Sequence, residues 1–215
     1  MRRTVIALGL FGVLSVAFTI PETVVLMPTA NRGTPRALFL ATEQYGQPRA
    51  YSQTYTRCLY TQWMLTDRFE IGVDCIGFDS SESRQWLFNA RLVLTPETAR
   101  APGVACGAWS ITEGASPQYY LVGTRTTSLG RFHSGLFYQA NRWGWGVGAQ
   151  FELPVGLDIG CEYLRLPSGD GYTSLGIGRA LSHSVYLYTY YSRHHTTRDA
   201  DLLGVYFSFT PFRLF

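Results

Sequence analysis

The sequence predicts an all-β fold: a single antiparallel transmembrane β-barrel of about 12 strands, with about 10 possible, after an N-terminal signal peptide. Three observations lead to this prediction. The composition is poor in charge and rich in aromatic residues and glycine, the N-terminus reads as an export leader, and apolar and polar residues alternate along most of the chain.

The composition favours strands that place one face in lipid. Charged residues make up 15% of the chain, against roughly 25% in typical soluble domains. Aromatic residues make up another 15%, and there are 22 glycines. Outer-membrane barrels combine an apolar exterior with aromatic girdles at both membrane interfaces. A soluble β-sandwich is the alternative that composition leaves open, and the scattered basic residues form no patch for nucleic acid.

The N-terminus has the architecture of a secretory signal peptide. Arg2 and Arg3 precede an apolar stretch from Thr4 to Val16, and Ser15 and Ala17 offer a small-x-small cleavage site. The stretch is shorter than the roughly 20 residues of a transmembrane helix, although a retained anchor is the alternative. The chain is therefore divided into a signal peptide (1–18), an N-terminal extension (19–34) and a β-barrel domain (35–215).

Alternation with a period of two recurs from about residue 35 to the end of the chain. Between Trp143 and Leu153, bulky apolar residues share one face, and glycine, glutamine and glutamate share the other. Glycine is depleted in ordinary strands, so a glycine-rich polar face indicates a narrow lumen with little room for side chains. The predicted strands are 35–42, 52–64, 69–78, 85–95, 103–112, 118–127, 131–140, 143–153, 155–165, 171–180, 184–192 and 202–210.

The connections between these strands differ in length. Those after even-numbered strands are mostly short, as at Thr66–Arg68 and Ser128–Gly130. Those after most odd-numbered strands are longer, as at Glu43–Tyr51 and Arg193–Asp201. Outer-membrane barrels have short periplasmic turns and longer extracellular loops, so we expect both termini in the periplasm and the barrel in the outer membrane.

The end of the chain resembles the C-terminal signal of bacterial outer-membrane barrels. Gly204, Phe207 and Phe209 fit an alternating last strand, and the chain ends in Phe215, although Pro211 departs from the pattern. The resemblance implies contact with outer-membrane lipid and recognition of the last strand by the barrel-assembly machinery.

A second resemblance covers the first third of the chain. Pro28–Ala30 and the stretch Asp67–Val73 are similar to segments of uncharacterised small barrel proteins of bacteria. The resemblance implies a barrel without an assigned activity.

The histidines and their neighbours form no pattern that is typical of a metal site or a catalytic site. His194 and His195 fall in a polar connection, where solvated loop residues are more common than a metal site. His133 and Ser134 are neighbours that point in opposite directions along a strand, so they form no catalytic pair. We therefore expect no enzyme activity, no metal and no cofactor.

The four cysteines show no C-x-x-C spacing. We expect buried or lipid-facing free thiols, with a disulfide between neighbouring strands as the alternative. They are Cys58, Cys75, Cys106 and Cys161.

Charged and amide residues on the polar faces of the predicted strands are the candidate pore-lining residues. Acids and bases that meet across the bore would form an ion-paired plug, whereas acids around open water would favour cations. The candidates are Glu70, Asp74, Asn89, Arg91, Arg131, Glu152, Asp158 and Glu162.

Three functions follow from these expectations. The first is a narrow channel for ions or small solutes. The second is a non-conducting structural or envelope-assembly barrel, and the third is a soluble periplasmic β-barrel that binds an apolar ligand. The sequence names no substrate and fixes no oligomeric state.

Overall fold

The computed structural model describes residues 25–31, 35–80, 84–182 and 185–213. Twelve antiparallel strands form a closed barrel in which each strand pairs with its sequence neighbours and β1 pairs with β12. The strands are β1 (Ala37–Gly46), β2 (Thr56–Met64), β3 (Phe69–Ile76), β4 (Gln85–Thr95), β5 (Gly103–Ile111), β6 (Gln118–Thr126), β7 (Arg131–Gln139), β8 (Arg142–Leu153), β9 (Leu157–Arg165), β10 (Gly171–Ala180), β11 (Val185–His194) and β12 (Leu202–Arg213). The predicted twelve-strand barrel is confirmed, and the predicted signal peptide lies outside the described residues.

The bounds of two early strands differ from the sequence-based prediction. β1 extends beyond residue 42 to Gly46, because Glu43 and Tyr45 continue the alternation with buried side chains. The prediction that places the polar Glu43 in the following loop is wrong. β2 begins only at Thr56, because the preceding Tyr51–Thr54 forms one helical turn in the loop.

The last strand is longer than predicted, since β12 runs through Pro211 to Arg213. Proline lacks the N–H that a ladder needs, and within sheets it is found at edges and bulges. The register with β1 shifts at this point, from the Leu40–Phe209 pair to the Leu38–Phe212 pair. This irregularity accommodates the proline and lets the strand continue to the end of the barrel.

The two ends of the barrel are unequal. The turns after the even-numbered strands, including 127–130 and 154–156, lie at the same end as the start of β1 and the end of β12. We call this the short-turn end. The opposite, long-loop end carries 47–55, 112–117 and 195–201. The asymmetry agrees with the predicted arrangement of turns and loops.

The barrel exterior is an apolar belt. Leu92, Leu121 and Ile177 project outward in mid-strand, and each is more than two-fifths exposed. Aromatic residues lie at both margins: Trp86, Tyr119, Tyr138 and Trp143 toward the long-loop end, and Trp63, Phe69, Phe132 and Phe209 toward the short-turn end. Such a belt with two girdles is the surface of a barrel that spans a bilayer. It is the reverse of the polar exterior expected for a soluble periplasmic barrel.

Inward-facing glycines make room for other parts of the chain. A Cβ at Gly176 would lie 2.1 Å from the hydroxyl of Tyr188, and one at Gly146 would lie 2.9 Å from Met27 Sδ. The space therefore receives tyrosine rings from neighbouring strands and the segment that precedes β1. The glycines of the polar faces thus make room for side chains inside the bore, where the sequence predicts little room for them.

Glycine at position 144 is required because a Cβ there would lie 2.3 Å from the carbonyl oxygen of Arg165. We expect Gly144→Ala to lower the free energy of unfolding by about 1–3 kcal/mol, the usual cost of overpacking. Gly123→Ala is the matched control, since its nearest neighbour would be 3.7 Å away. Urea unfolding, monitored by the heat-modifiable gel mobility of the folded barrel, gives the free energy of unfolding of both variants. Equal stability of the two would contradict the steric explanation.

Candidate functional site

The N-terminal segment, defined here as Val25–Asn31, lies inside the barrel. Met27 is fully buried, and Thr29 has no exposed surface. The backbone N–H of Ala30 donates to Thr124 Oγ1 on β6 at 2.9 Å. The segment thus contacts inward-facing side chains of the wall and occupies part of the bore.

One carboxylate holds the inner end of this segment. The backbone N–H groups of Val25 and Met27 donate to Glu162 Oε2 at 3.1 and 3.0 Å, and that of Leu26 donates to Oε1 at 2.9 Å. Glu162 lies on β9 and is only 4% exposed. Hydrogen bonds to a charged acceptor in a dry site are stronger than those between neutral groups. Glu162 is therefore the main polar anchor of the segment.

A second anchor lies on β4. Arg91 Nη2 forms an ion pair with Glu70 Oε2 at 2.7 Å, and Arg91 Nη1 donates to the carbonyl oxygen of Thr29 at 3.1 Å. Both side chains are almost completely buried. Nearby, the Asn89 amide donates to the carboxylate of Asp74, which is also buried. On this side of the bore acids and bases meet, as expected of a plugged interior.

The other candidate pore-lining residues lie toward the short-turn end. Asp158 accepts a hydrogen bond from the hydroxyl of Tyr186 at 2.7 Å, and Glu152 is exposed. Arg131 forms an ion pair at 3.4 Å with Glu97, which lies in the turn after β4. Of the eight candidates, Arg91 and Glu162 thus bond to the N-terminal segment and Glu70 pairs with Arg91. Asp74 and Asn89 bond to each other on β3 and β4, and the other three lie near the short turns.

Glu97 fixes the position of Arg131 at the rim of the barrel, meaning the edge of its short-turn end. Its carboxylate accepts hydrogen bonds from the backbone N–H and the hydroxyl of Thr126. Partial burial raises the pKa of Glu97, but these hydrogen bonds and the charges of Arg131 and Arg125 outweigh burial and hold the pKa below its ordinary value of 4.5. Arg131 therefore has an ionised partner outside the bore at neutral pH.

Aromatic side chains fill the long-loop half beside β5–β7. Trp109 and Phe137 are buried, and their rings stack with centroids 5.7 Å apart. Tyr120 packs against Trp109 at 5.3 Å. This cluster and the N-terminal segment together occupy the β4–β9 side of the bore.

The bore is open toward the short turns along β11, β12, β1 and β2 and beside the short-turn ends of β6 to β9. A cavity of about 570 Å³ extends inward from the rim. At its inner end the carboxylate of Glu43 accepts hydrogen bonds from the hydroxyls of Tyr60 and Tyr190, the latter at 2.6 Å. Tyr188 and Tyr206 also line its wall.

Sequence reasoning missed this tyrosine-lined site. Glu43 was read as the start of a loop, and inward tyrosines such as Tyr188 and Tyr190 resemble the aromatic residues of a membrane girdle. The alternation of Tyr186, Tyr188 and Tyr190 along β11 is the signal that predicts a shared inward face.

Among the described residues, the histidines, cysteines and acids form no group of three potential metal ligands. The assignment of His194 to a solvated loop is wrong: it is the last residue of β11, is buried, and pairs with Asp170 at 3.3 Å. His195 lies in the loop and stacks on Tyr163. His133 bonds to Thr124 and Gln150 inside the barrel. All four cysteines are free thiols, and no described helix could cross a membrane.

The buried ion pair supports a double-mutant prediction. Arg91→Met leaves the Glu70 carboxylate buried without its cation, and we expect it to lower the free energy of unfolding by about 3–5 kcal/mol. The double variant Glu70→Gln/Arg91→Met removes both charges and should recover a substantial part of that loss. Urea unfolding, monitored by tryptophan fluorescence, gives the free energies of unfolding of the unaltered protein, the single variant and the double variant. A double variant as unstable as Arg91→Met alone would show that the pairing does not account for the loss.

No protein-family model matches the sequence, and no curated protein matches it. Solved structures do match the fold. The KdgM porin aligns over 80% of this chain and 98% of its own length, with a TM-score of 0.61 and 11% sequence identity. The COG4313 outer membrane channel from Pseudomonas putida F1 aligns over 84% of this chain and 97% of its own, with a TM-score of 0.54 and 8% identity. Together with the apolar exterior, these likenesses confirm the expected fold of a bacterial outer-membrane β-barrel.

Proposed function

We propose that the protein is an outer-membrane channel for small solutes that its own N-terminal segment closes. The observation that carries this proposal is the passage of Val25–Asn31 through a polar bore, anchored at its inner end by the Glu162 carboxylate. Barrels whose lumen is plugged by part of their own chain are a known arrangement of this architecture.

The bonds that hold the segment differ from those that hold the wall. The strands are joined by continuous ladders, whereas the segment bonds to the wall through single side chains such as Glu162, Thr124 and Arg91. Release of the segment would break these bonds and leave the barrel closed on itself. Its apolar residues Leu26 and Met27 also pack in the buried core of the barrel, and we propose that the segment can leave this core without unfolding the barrel.

Polar groups and small residues form part of the lining of the bore that the segment occupies, beside apolar side chains such as Leu164 and Val122. Ser174 and Ser192 hydrogen-bond to each other on the inner wall at 2.8 Å, and Gly146 faces Met27. A lining of this kind can hydrate when the segment leaves. We propose that Glu70, Asp74, Asn89, Arg91, Arg131, Glu152, Asp158 and Glu162 then line the passage.

Similarity of fold alone does not indicate that this chain takes the same solute as the KdgM porin. One KdgM structure contains an oligogalacturonate, which is anionic. The cavity described above carries three carboxylates, from Glu43, Glu152 and Asp158, against the guanidinium of Arg131. Its charge therefore favours solutes that are not anionic.

The test is the conductance of purified protein in a planar bilayer. We expect brief, rare openings for the unaltered protein and an open probability at least about tenfold higher for Glu162→Gln, since hydrogen bonds to a charged acceptor contribute about 1.5–3 kcal/mol. Glu113→Gln, in the exposed loop after β5, is the matched control and should behave like the unaltered protein.

Two outcomes would contradict the proposal. Silence of both the unaltered protein and Glu162→Gln over a wide voltage range would favour a non-conducting barrel. Equal open probabilities in a conducting pair would show that the segment does not close the bore.

A non-conducting structural or envelope-assembly barrel is the second candidate. The stacked Trp109–Phe137 cluster in the long-loop half favours it, because this packing is that of a protein core. In either case we propose contact with outer-membrane lipid through the apolar belt, recognition of β12 by the barrel-assembly machinery, and a role that is not enzymatic.

A further inference from the structure

We propose that the cavity at the short-turn end binds a small organic cation, an amine or a quaternary ammonium, whose charged group lies at Glu43. This inference rests on the proposed function and deepens it, because it names the class of solute that the channel takes. It depends on the charge, the depth and the aromatic lining of the cavity.

The lining of the cavity contains more acidic than basic residues. Glu43, Glu152 and Asp158 face the cavity with one basic residue, Arg131. Arg131 already pairs with Glu97 at the rim. Within the described part of the chain, none of the three cavity acids forms an ion pair with a basic side chain. The described basic side chains thus leave the three acids of the cavity without an ion-pair partner.

Glu43 is the deepest of these acids and is only 7% exposed. Its two oxygens accept hydrogen bonds from the hydroxyls of Tyr60 and Tyr190, which orient the carboxylate. A buried carboxylate without a cation is costly, and the Arg91–Glu70 pair shows how the same bore satisfies another one. A cation that enters from the rim would supply the partner that Glu43 lacks.

Tyrosine rings surround this position. Tyr206 lies directly opposite Glu43 in the β1–β12 register, and its ring stacks with that of Tyr60 at 6.2 Å between centroids. Tyr188 and Tyr186 continue the aromatic wall toward the rim, with their centroids 6.4 Å apart. The faces of aromatic rings attract ammonium groups, and several rings around one cation form the usual site for quaternary ammonium ligands.

The volume suits a small molecule. At about 570 Å³ the cavity lies within the range of roughly 300–1,000 Å³ found for small-ligand sites. The ring faces would contact the apolar groups of an organic cation, and the acids Asp158 and Glu152 at the rim would attract it from solution.

The experiment compares choline with its neutral carbon isostere, 3,3-dimethyl-1-butanol. Both are titrated by calorimetry into protein extracted from outer membranes in a non-ionic detergent. We expect choline to bind about tenfold more tightly than the isostere, as cation–π attraction and one ion pair allow. Glu43→Gln should abolish this preference, and Glu113→Gln should keep it. Added salt should weaken choline binding and leave the isostere unaffected.

Equal affinities for choline and the isostere would overturn the inference, as would a preference that survives in folded Glu43→Gln. Tighter binding of galacturonate than of choline would also overturn it. If Glu43→Gln does not fold, Asp158→Asn at the rim is the substitute, and its choline affinity should fall several-fold. Conductance in a bilayer without a preference for choline would support the proposed channel and contradict this inference. Choline binding by a barrel that does not conduct would support the cation site and contradict the proposed channel.

Discussion

The closure of the sheet by the β1–β12 pairing is the constraint on which the rest of the structure depends. In a bilayer every backbone N–H and C=O must find a partner within the protein, and an open sheet edge would leave a row of them unpaired. Closure fixes one face of every strand toward lipid and the other toward the bore. The apolar belt, the polar interior and the space for the N-terminal segment all follow from that division.

The bore is divided lengthwise into two parts with different chemistry. On the β4–β9 side, polar residues find partners inside the chain: Glu70 with Arg91, and Glu162 with the N-terminal segment. On the β11–β2 side, the hydrogen bonds that Glu43 accepts from the described residues come from tyrosine hydroxyls, and its carboxylate faces a cavity that extends to the short-turn ends of β6 to β9. The first side is built to hold part of the chain, and the second side is open to a molecule from outside.

The barrel could be predicted from the sequence because the alternation of apolar and polar residues is a property of each strand by itself. The face of a strand that is buried shows in its own residues, so β8 and β9 were recognised from bulky residues opposite glycine and carboxylate. The bounds of β1 were missed because a buried Glu43 depends on tyrosines from β2 and β11, which are remote in sequence. The occupation of the bore by residues 25–31 was missed for the same reason, since it is set by contacts with distant strands and by no local pattern.

The contacts of the segment also constrain the order of assembly. Its hydrogen bonds to Glu162 join residues 135 to 137 positions apart in the chain. The segment therefore bonds to β9, a strand that follows eight other strands of the wall in the sequence. Contacts of such separation form slowly, because the intervening chain must be ordered first. We expect these hydrogen bonds to form after neighbouring strands have paired, because paired neighbours lie closer together in the sequence.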